Sequence, residues 1–264
     1  MRICKIGGEI SLAGGLPMKF SIASNTYEIS DALLTAVVRS IDKAVSEDVP
    51  NQLRTMPLET DNYINFIRGD FINQNLRAFA IKEGSLLHAF RRFGWSGRIL
   101  VCRESKLTIS ITTQTNLGLI PKRTRQRPHF MQSILHGMNG DLCGRYEQTR
   151  LFDTDPFVPE EYAKDFNDII NGAFDPAEGY RHCVIAYRAY GGELLDVKLV
   201  VLDPQFNTVI EESLNEYMKP DFARLTDPGP ADEAAREEHN AATLRLTSLK
   251  PGVRPALREG EKQA

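Results

Sequence analysis

Asp196 and Lys198 flank Val197 in a stretch, Glu193 to Leu202, whose apolar residues suit a β-strand. Period-two geometry puts both polar side chains on one face, a carboxylate able to bind a divalent metal beside an amine able to orient a water. That is the working pair of a metal-dependent nuclease of restriction-endonuclease type, and it needs a second carboxylate close by. Asp175, before the strand that starts near Arg181, is the available candidate. Gly191-Gly192 between the two strands suits a type I′ or II′ turn. Counting outward from it pairs Tyr190 with Glu193, Tyr187 with Asp196 and Ile185 with Lys198. A ring then faces Asp196, and Asp175 falls several residues short. The favoured reading is a solvent-facing rung with a Tyr-Asp cross-strand contact. Its other face, with Val184, Ala186, Leu195, Val197 and Leu199, is the expected core side. Glu104-Ser105-Lys106 repeats the spelling at a hairpin tip, where such residues are normally solvated.

Lys122, Arg123, Arg125 and Arg127 crowd into a loop bounded by Pro121 and Pro128, with His129 and Phe130 directly after. Four cations in so short a loop cannot all pair locally. They could reach phosphates as positioning contacts, the arginines with their fork geometry. The competing readings are a solvated loop, or one paired with the acids Glu160 and Glu161. Arg91 and Arg92, followed by Phe93 and Trp95, offer an extension of the patch with stacking faces. The plainer reading makes Trp95 a core or rim anchor.

The other reactive residue types are scattered. His88, His129, His136, His182 and His239 lack ligand spacing, and Cys4, Cys102, Cys143 and Cys183 form no CxxC pair, so neither a metal nor another cofactor is expected. Cys102 and Cys183 fall in apolar strands, where a thiol acts as a small hydrophobe. Arg68-Gly69-Asp70 spells an adhesion tripeptide by coincidence, inside an apolar-periodic segment. There is no GxSxG elbow, no GxxxxGK[ST] loop and no strand-linked GxGxxG, so common hydrolase and nucleotide-binding mechanisms lack their parts.

These residues need elements to position them. With 264 residues, of which 42% are hydrophobic, the chain can bury a substantial core without staples. A formal charge of -3 leaves any nucleic-acid contact to a local patch. Glu9 and the glycine pairs interrupt any signal peptide, and no run of about 18 apolar residues suggests a membrane span. A reducing cytoplasm is the expected setting, and Met18 reads as a candidate start.

The first helix opens at Ser30-Asp31 and carries Leu33, Leu34, Val37, Val38, Ile41 and Val45 before Pro50. A second helical region spans Leu58 to Lys82, in one piece or broken at Gly69. A short helix is expected from Ser85 to Phe93, then a hairpin from Arg98 to Thr113 turning near Glu104-Ser105. Its register sets Cys102 opposite Leu107 and Leu100 opposite Ile109, with Thr108, Ser110 and Thr112 on a wet face. Helices follow at Phe130 to Met138 and Glu160 to Ile170, then the diglycine hairpin from Arg181 to Leu202, then a last helix through Val209, Leu214 and Met218. The helix-hairpin-helix order occurs twice without residue-level identity, which argues against duplication.

The segments Trp95-x-Gly97-Arg98-Ile-Leu-Val and Glu193-Leu-Leu-Asp-Val-Lys-Leu-Val resemble uncharacterised bacterial or phage families of unknown function, over roughly Phe20 to Pro220. That resemblance implies a bacterial setting and assigns no functional residue. The expected architecture is α+β: an antiparallel sheet built mainly from two hairpins and covered by amphipathic helices, forming one domain over residues 18–225. Residues 1–17 are expected to be extended, and the charged tail 226–264 disordered. The favoured function is a noncatalytic accessory protein that binds through Lys122, Arg123, Arg125 and Arg127, with nucleic acid or an acidic protein as partner. The alternative is the nuclease using Asp175, Asp196 and Lys198.

Overall fold

Ser30 caps the first helix as its sequence requires: the side chain accepts from the Leu33 amide at 3.2 Å while its backbone is extended. The computed structural model describes residues 17–22, 25–56, 59–60, 63–83, 85–123, 125–142 and 157–218. The chain divides into Met1–Met218 and Lys219–Ala264, the second wholly outside the described residues. The expectations for residues 1–16 and for the tail lie outside them too.

A hairpin of β1 (Met18–Ile22) and β2 (Asn25–Ile29) precedes α1 (Asp31–Lys43). The helix does not stop at Pro50. It widens into a π-helical turn at Ala44–Asp48 and resumes as α2 (Val49–Thr55). Proline has no amide to give and its ring crowds the carbonyl four residues back, and the wider turn relieves both demands. α3 (Ile64–Phe79) runs unbroken through Gly69.

Ser85 to Phe93 is not helical. Leu86–Arg92 forms β3, an edge strand paired with β4 (Trp95–Cys102) through a tight turn at Phe93-Gly94. A short apolar run fits a strand or a helix equally, and here pairing with β4 decides. β4 pairs with β5 (Leu107–Thr113) in the expected register, Leu100 opposite Ile109 and Cys102 opposite Leu107. The chain then crosses through α4 (Gln114–Leu119), α5 (Phe130–Asn139) and α6 (Pro159–Ile170) and returns as β6 (Arg181–Tyr190), parallel to β5. β7 (Glu193–Leu202) and β8 (Thr208–Ser213) complete a six-stranded mixed sheet in the order β3-β4-β5-β6-β7-β8. The protein thus combines helices with this sheet and the two-stranded antiparallel one. The two expected hairpins form, joined by a parallel seam where only antiparallel pairing was anticipated.

The expected helix after Asp203 is replaced by β8, followed by one 3-10 turn at Asn215–Tyr217. The edge of β7 offered a row of unpaired backbone groups, and pairing them outweighs a weak helical pattern. The supposed wet face of β5 is also covered: Thr108 and Ser110 are buried. One layer, α1, α3 and the β1-β2 hairpin, packs on one face of the sheet around Leu34, Val38, Ile109, Ile185 and Leu199. α5 and α6 cover the other, around Ile99, Ile134, Phe166, Val184 and Val200. Among the described residues no helix is long and apolar enough to cross a membrane.

Candidate basic and aromatic binding surface

β3 and β4 turn at Phe93-Gly94, and both residues have positive φ, 46° and 81°. Alternation along β3 puts Phe90 and Arg92 on the face toward α5 and α6, with Trp95 across from Arg92 and Gly97 across from Phe90. Gly97 is needed there, because a Cβ would lie 2.2 Å from the Phe90 ring. Phe90 and Trp95 meet edge to face at 5.6 Å, and Phe130 of α5 packs on both, at 5.5 and 5.3 Å.

The basic loop closes onto this hairpin. The Arg92 side chain donates to Asp165 of α6 at 2.7 Å and to the Pro128 carbonyl at 2.7 Å, fixing the end of the loop against β3. Asp165 also accepts from Ser133 of α5. The Arg127 guanidinium then lies 3.9 Å above the centroid of the Phe93 ring. Arg125 turns back and donates to the Ile120 carbonyl at 2.5 Å. Lys122 and Arg123 are exposed. Among the described residues none of the four loop cations forms an ion pair with a carboxylate. Glu161 instead accepts from the Val158 amide at its own helix start. Arg91 does not join the surface, because alternation along β3 sends it to the opposite face from Arg92.

His129 senses the resulting field. It caps α5, its Nδ1 accepting from the Met131 amide at 3.3 Å, a bond that requires the neutral ring. Burial, and then the charges of Arg125, Arg92 and Arg123, push its pKa down to about 3. Arg125 is likewise lowered, by burial and by Arg123. The cap is therefore uncharged at neutral pH, and the positive potential here comes from arginine and lysine.

The carboxylate constellation is arranged otherwise. A register shift between Arg188 and Ala189 absorbs one residue, so Asp196 faces Arg188 and Lys198 faces Ala186, not Tyr187 and Ile185. The same shift reassigns the faces: Val197 and Leu199 pack with Ile185 and Tyr187, whereas Val184 and Ala186 belong to the opposite core. Leu195, expected in the core, is 43% exposed. The Asp196 carboxylate accepts from Gln114 at 2.7 Å and from Asn215 at 2.9 Å. Asn215 in turn accepts from the Val197 amide at 2.9 Å. Partial burial opposes ionisation of Asp196, but those two bonds and the charges of Lys198 and Arg188 outweigh it and hold the carboxyl below its usual range. Lys198 reaches Glu211 of β8 at 2.6 Å.

Asp175 accepts from the Ala177 amide at 2.9 Å, ahead of Arg181 at the start of β6. Arg188, opposite Asp196, lies seven residues into that strand, about 23 Å along at strand rise. The structure therefore does not bring Asp175 and Asp196 together. Among the described residues no group of three or more His, Cys, Asp and Glu side chains could hold a metal ion.

A cavity of about 930 Å³ lies between the β1-β2 hairpin and the Arg103–Lys106 turn. Several of its polar groups are engaged: Asp31 accepts from Tyr217 at 2.7 Å and Lys106 pairs with Glu178, while burial raises the Cys102 thiol to about 11. Arg127 of the loop and the rings of the hairpin meet on one surface. Sequence reasoning named its cations and aromatics but missed Asp165. The signal was present: Asp165 stands three residues after Tyr162 and four before Ile169, on the apolar side of its helix, where a carboxylate needs a partner.

A family model described as a family of unknown function, DUF5986, matches residues 26–263. Comparisons with curated proteins and with solved structures return no match.

Proposed function

The chain belongs to the DUF5986 family, a membership that carries no activity with it, and from the geometry we propose that the protein is a noncatalytic accessory protein that binds the phosphate backbone of nucleic acid through the basic loop. The observation that carries this reading is the docking of the loop onto the β3-β4 hairpin, with Arg127 stacked on Phe93 and Lys122 and Arg123 exposed beside it, none paired with a carboxylate among the described residues. Exposed cations gain from a polyanion, because each phosphate contact releases condensed counterions. Arg92 acts as a positioning residue, since Asp165 already balances its charge and its second bond holds Pro128.

The test is a titration of the full chain with short oligonucleotides at several salt concentrations. With three cations at the surface, log K should fall against log salt with a slope of about −2 to −3. Replacing Lys122, Arg123 and Arg127 together by Ala should remove most of the affinity and most of the slope. Unchanged binding in that variant, or salt-independent binding, would refute the reading. Selective binding of acidic polypeptides with no nucleic-acid binding would refute it in favour of a protein partner.

A further inference from the structure

We propose that this surface selects single-stranded nucleic acid, with unpaired bases stacking on the Phe93-Arg127 pair and on Trp95; the proposal rests on the phosphate-binding reading above. The turn is the first observation. Two residues with positive φ between paired strands ask for Asn-Gly or a similar pair, and a phenylalanine there adopts backbone that L side chains disfavour. Burial does not account for it, because Phe93 is 73% exposed. A strained residue whose ring is turned into solvent points to a use for the ring.

The second observation is the neighbourhood. Trp95 is 45% exposed while packed against Phe90 and Phe130, so it presents part of its ring from a fixed position. The Arg127 guanidinium lies 3.9 Å and that of Arg92 5.4 Å from the Phe93 centroid, and arginine beside an exposed ring is a combination on which a further flat ring can stack. Lys122 and Arg123 supply charge for the backbone in the same loop. Flat faces next to phosphate-seeking cations match a strand whose bases are free to turn out, and a duplex keeps those faces stacked inside.

Trp95 is the only tryptophan in the chain, so fluorescence excited selectively at tryptophan reports this surface. The full-length protein is titrated with an oligothymidylate of about 12 nucleotides, with the matching duplex, and with inorganic polyphosphate of similar charge. The single strand should quench Trp95 and bind at least about tenfold more tightly than the duplex, and polyphosphate should bind without quenching. Phe93→Leu, which keeps an apolar side chain but removes the ring that supports Arg127, should weaken single-strand binding about tenfold more than it weakens polyphosphate binding. Equal binding of single strand, duplex and polyphosphate without quenching would overturn the stacking proposal and leave the phosphate reading standing. The same holds for a Phe93→Leu variant with unaltered strand preference. Absence of binding to all three would overturn both.

Discussion

His182 makes the folded protein sensitive to mild acid. The side chain is fully buried, its Nδ1 lies 2.9 Å from the Thr108 hydroxyl, and that hydroxyl donates onward to the Met138 sulfur at 3.3 Å. The neutral ring makes the bond to Thr108 in either tautomer. Among the described residues Nε2 has no partner, and a second proton on the ring would place a charge in an apolar core. Burial accordingly pushes the His182 pKa down to about 3. In the unfolded chain the group titrates near 6.5, so between those values the unfolded state binds more protons and stability rises with pH. The contribution is complete above about 6.5 and is lost progressively as pH falls toward about 3. At about pH 5 the linked loss is about 2 kcal/mol, and His129, with a similar depression, adds about as much. A combined loss of about 4 kcal/mol is large against the usual 5–15 kcal/mol of a folded domain. Urea unfolding at about pH 8 and about pH 5 measures it. His182→Gln cannot ionise and should roughly halve the difference. A wild type equally stable at both pH values, or a variant with the full wild-type loss, would refute the reasoning.

Three further outcomes follow from single contacts. Gly97→Ala places a Cβ against the Phe90 ring, which Trp95 and Phe130 hold in place, so thermal unfolding should show a loss of about 1–3 kcal/mol. Arg92→Ala strands the largely buried Asp165 and frees the Pro128 carbonyl; stability should fall by about 3 kcal/mol or more and oligonucleotide affinity with it, although Arg92 itself is not a phosphate contact. Asp196→Ala removes the acceptor shared by Gln114 and Asn215, whose amides can turn to water, and should cost about 0.5–1.5 kcal/mol in denaturant unfolding. Wild-type protein incubated with plasmid and Mg²⁺ or Mn²⁺ should leave it intact, and cleavage that disappears in Asp196→Ala would restore the nuclease reading.

Local signals were sufficient wherever one short-range preference dominated. Ser30 as cap, the apolar stripe of α1, the diglycine turn with φ of 59° and 84°, and the Cys102-Leu107 register all follow from neighbours in sequence. The cations of the loop and the rings of the hairpin were likewise visible as residue types. Contacts between distant segments decided the rest. Leu86–Arg92 and Thr208–Ser213 became edge strands because a neighbouring strand offered its backbone, a demand no local period records. The parallel seam of β5 and β6 depends on a crossover through α4, α5 and α6, and the shift at Arg188/Ala189 moved Asp196 by one rung, which no count from the turn could anticipate. The binding surface itself required Arg92 to hold Pro128 and Asp165 to balance Arg92, across separations of 36 and 73 residues. Sequence supplies the charges and the rings; folding alone fixes the distance between them, and that distance determines whether they form a surface.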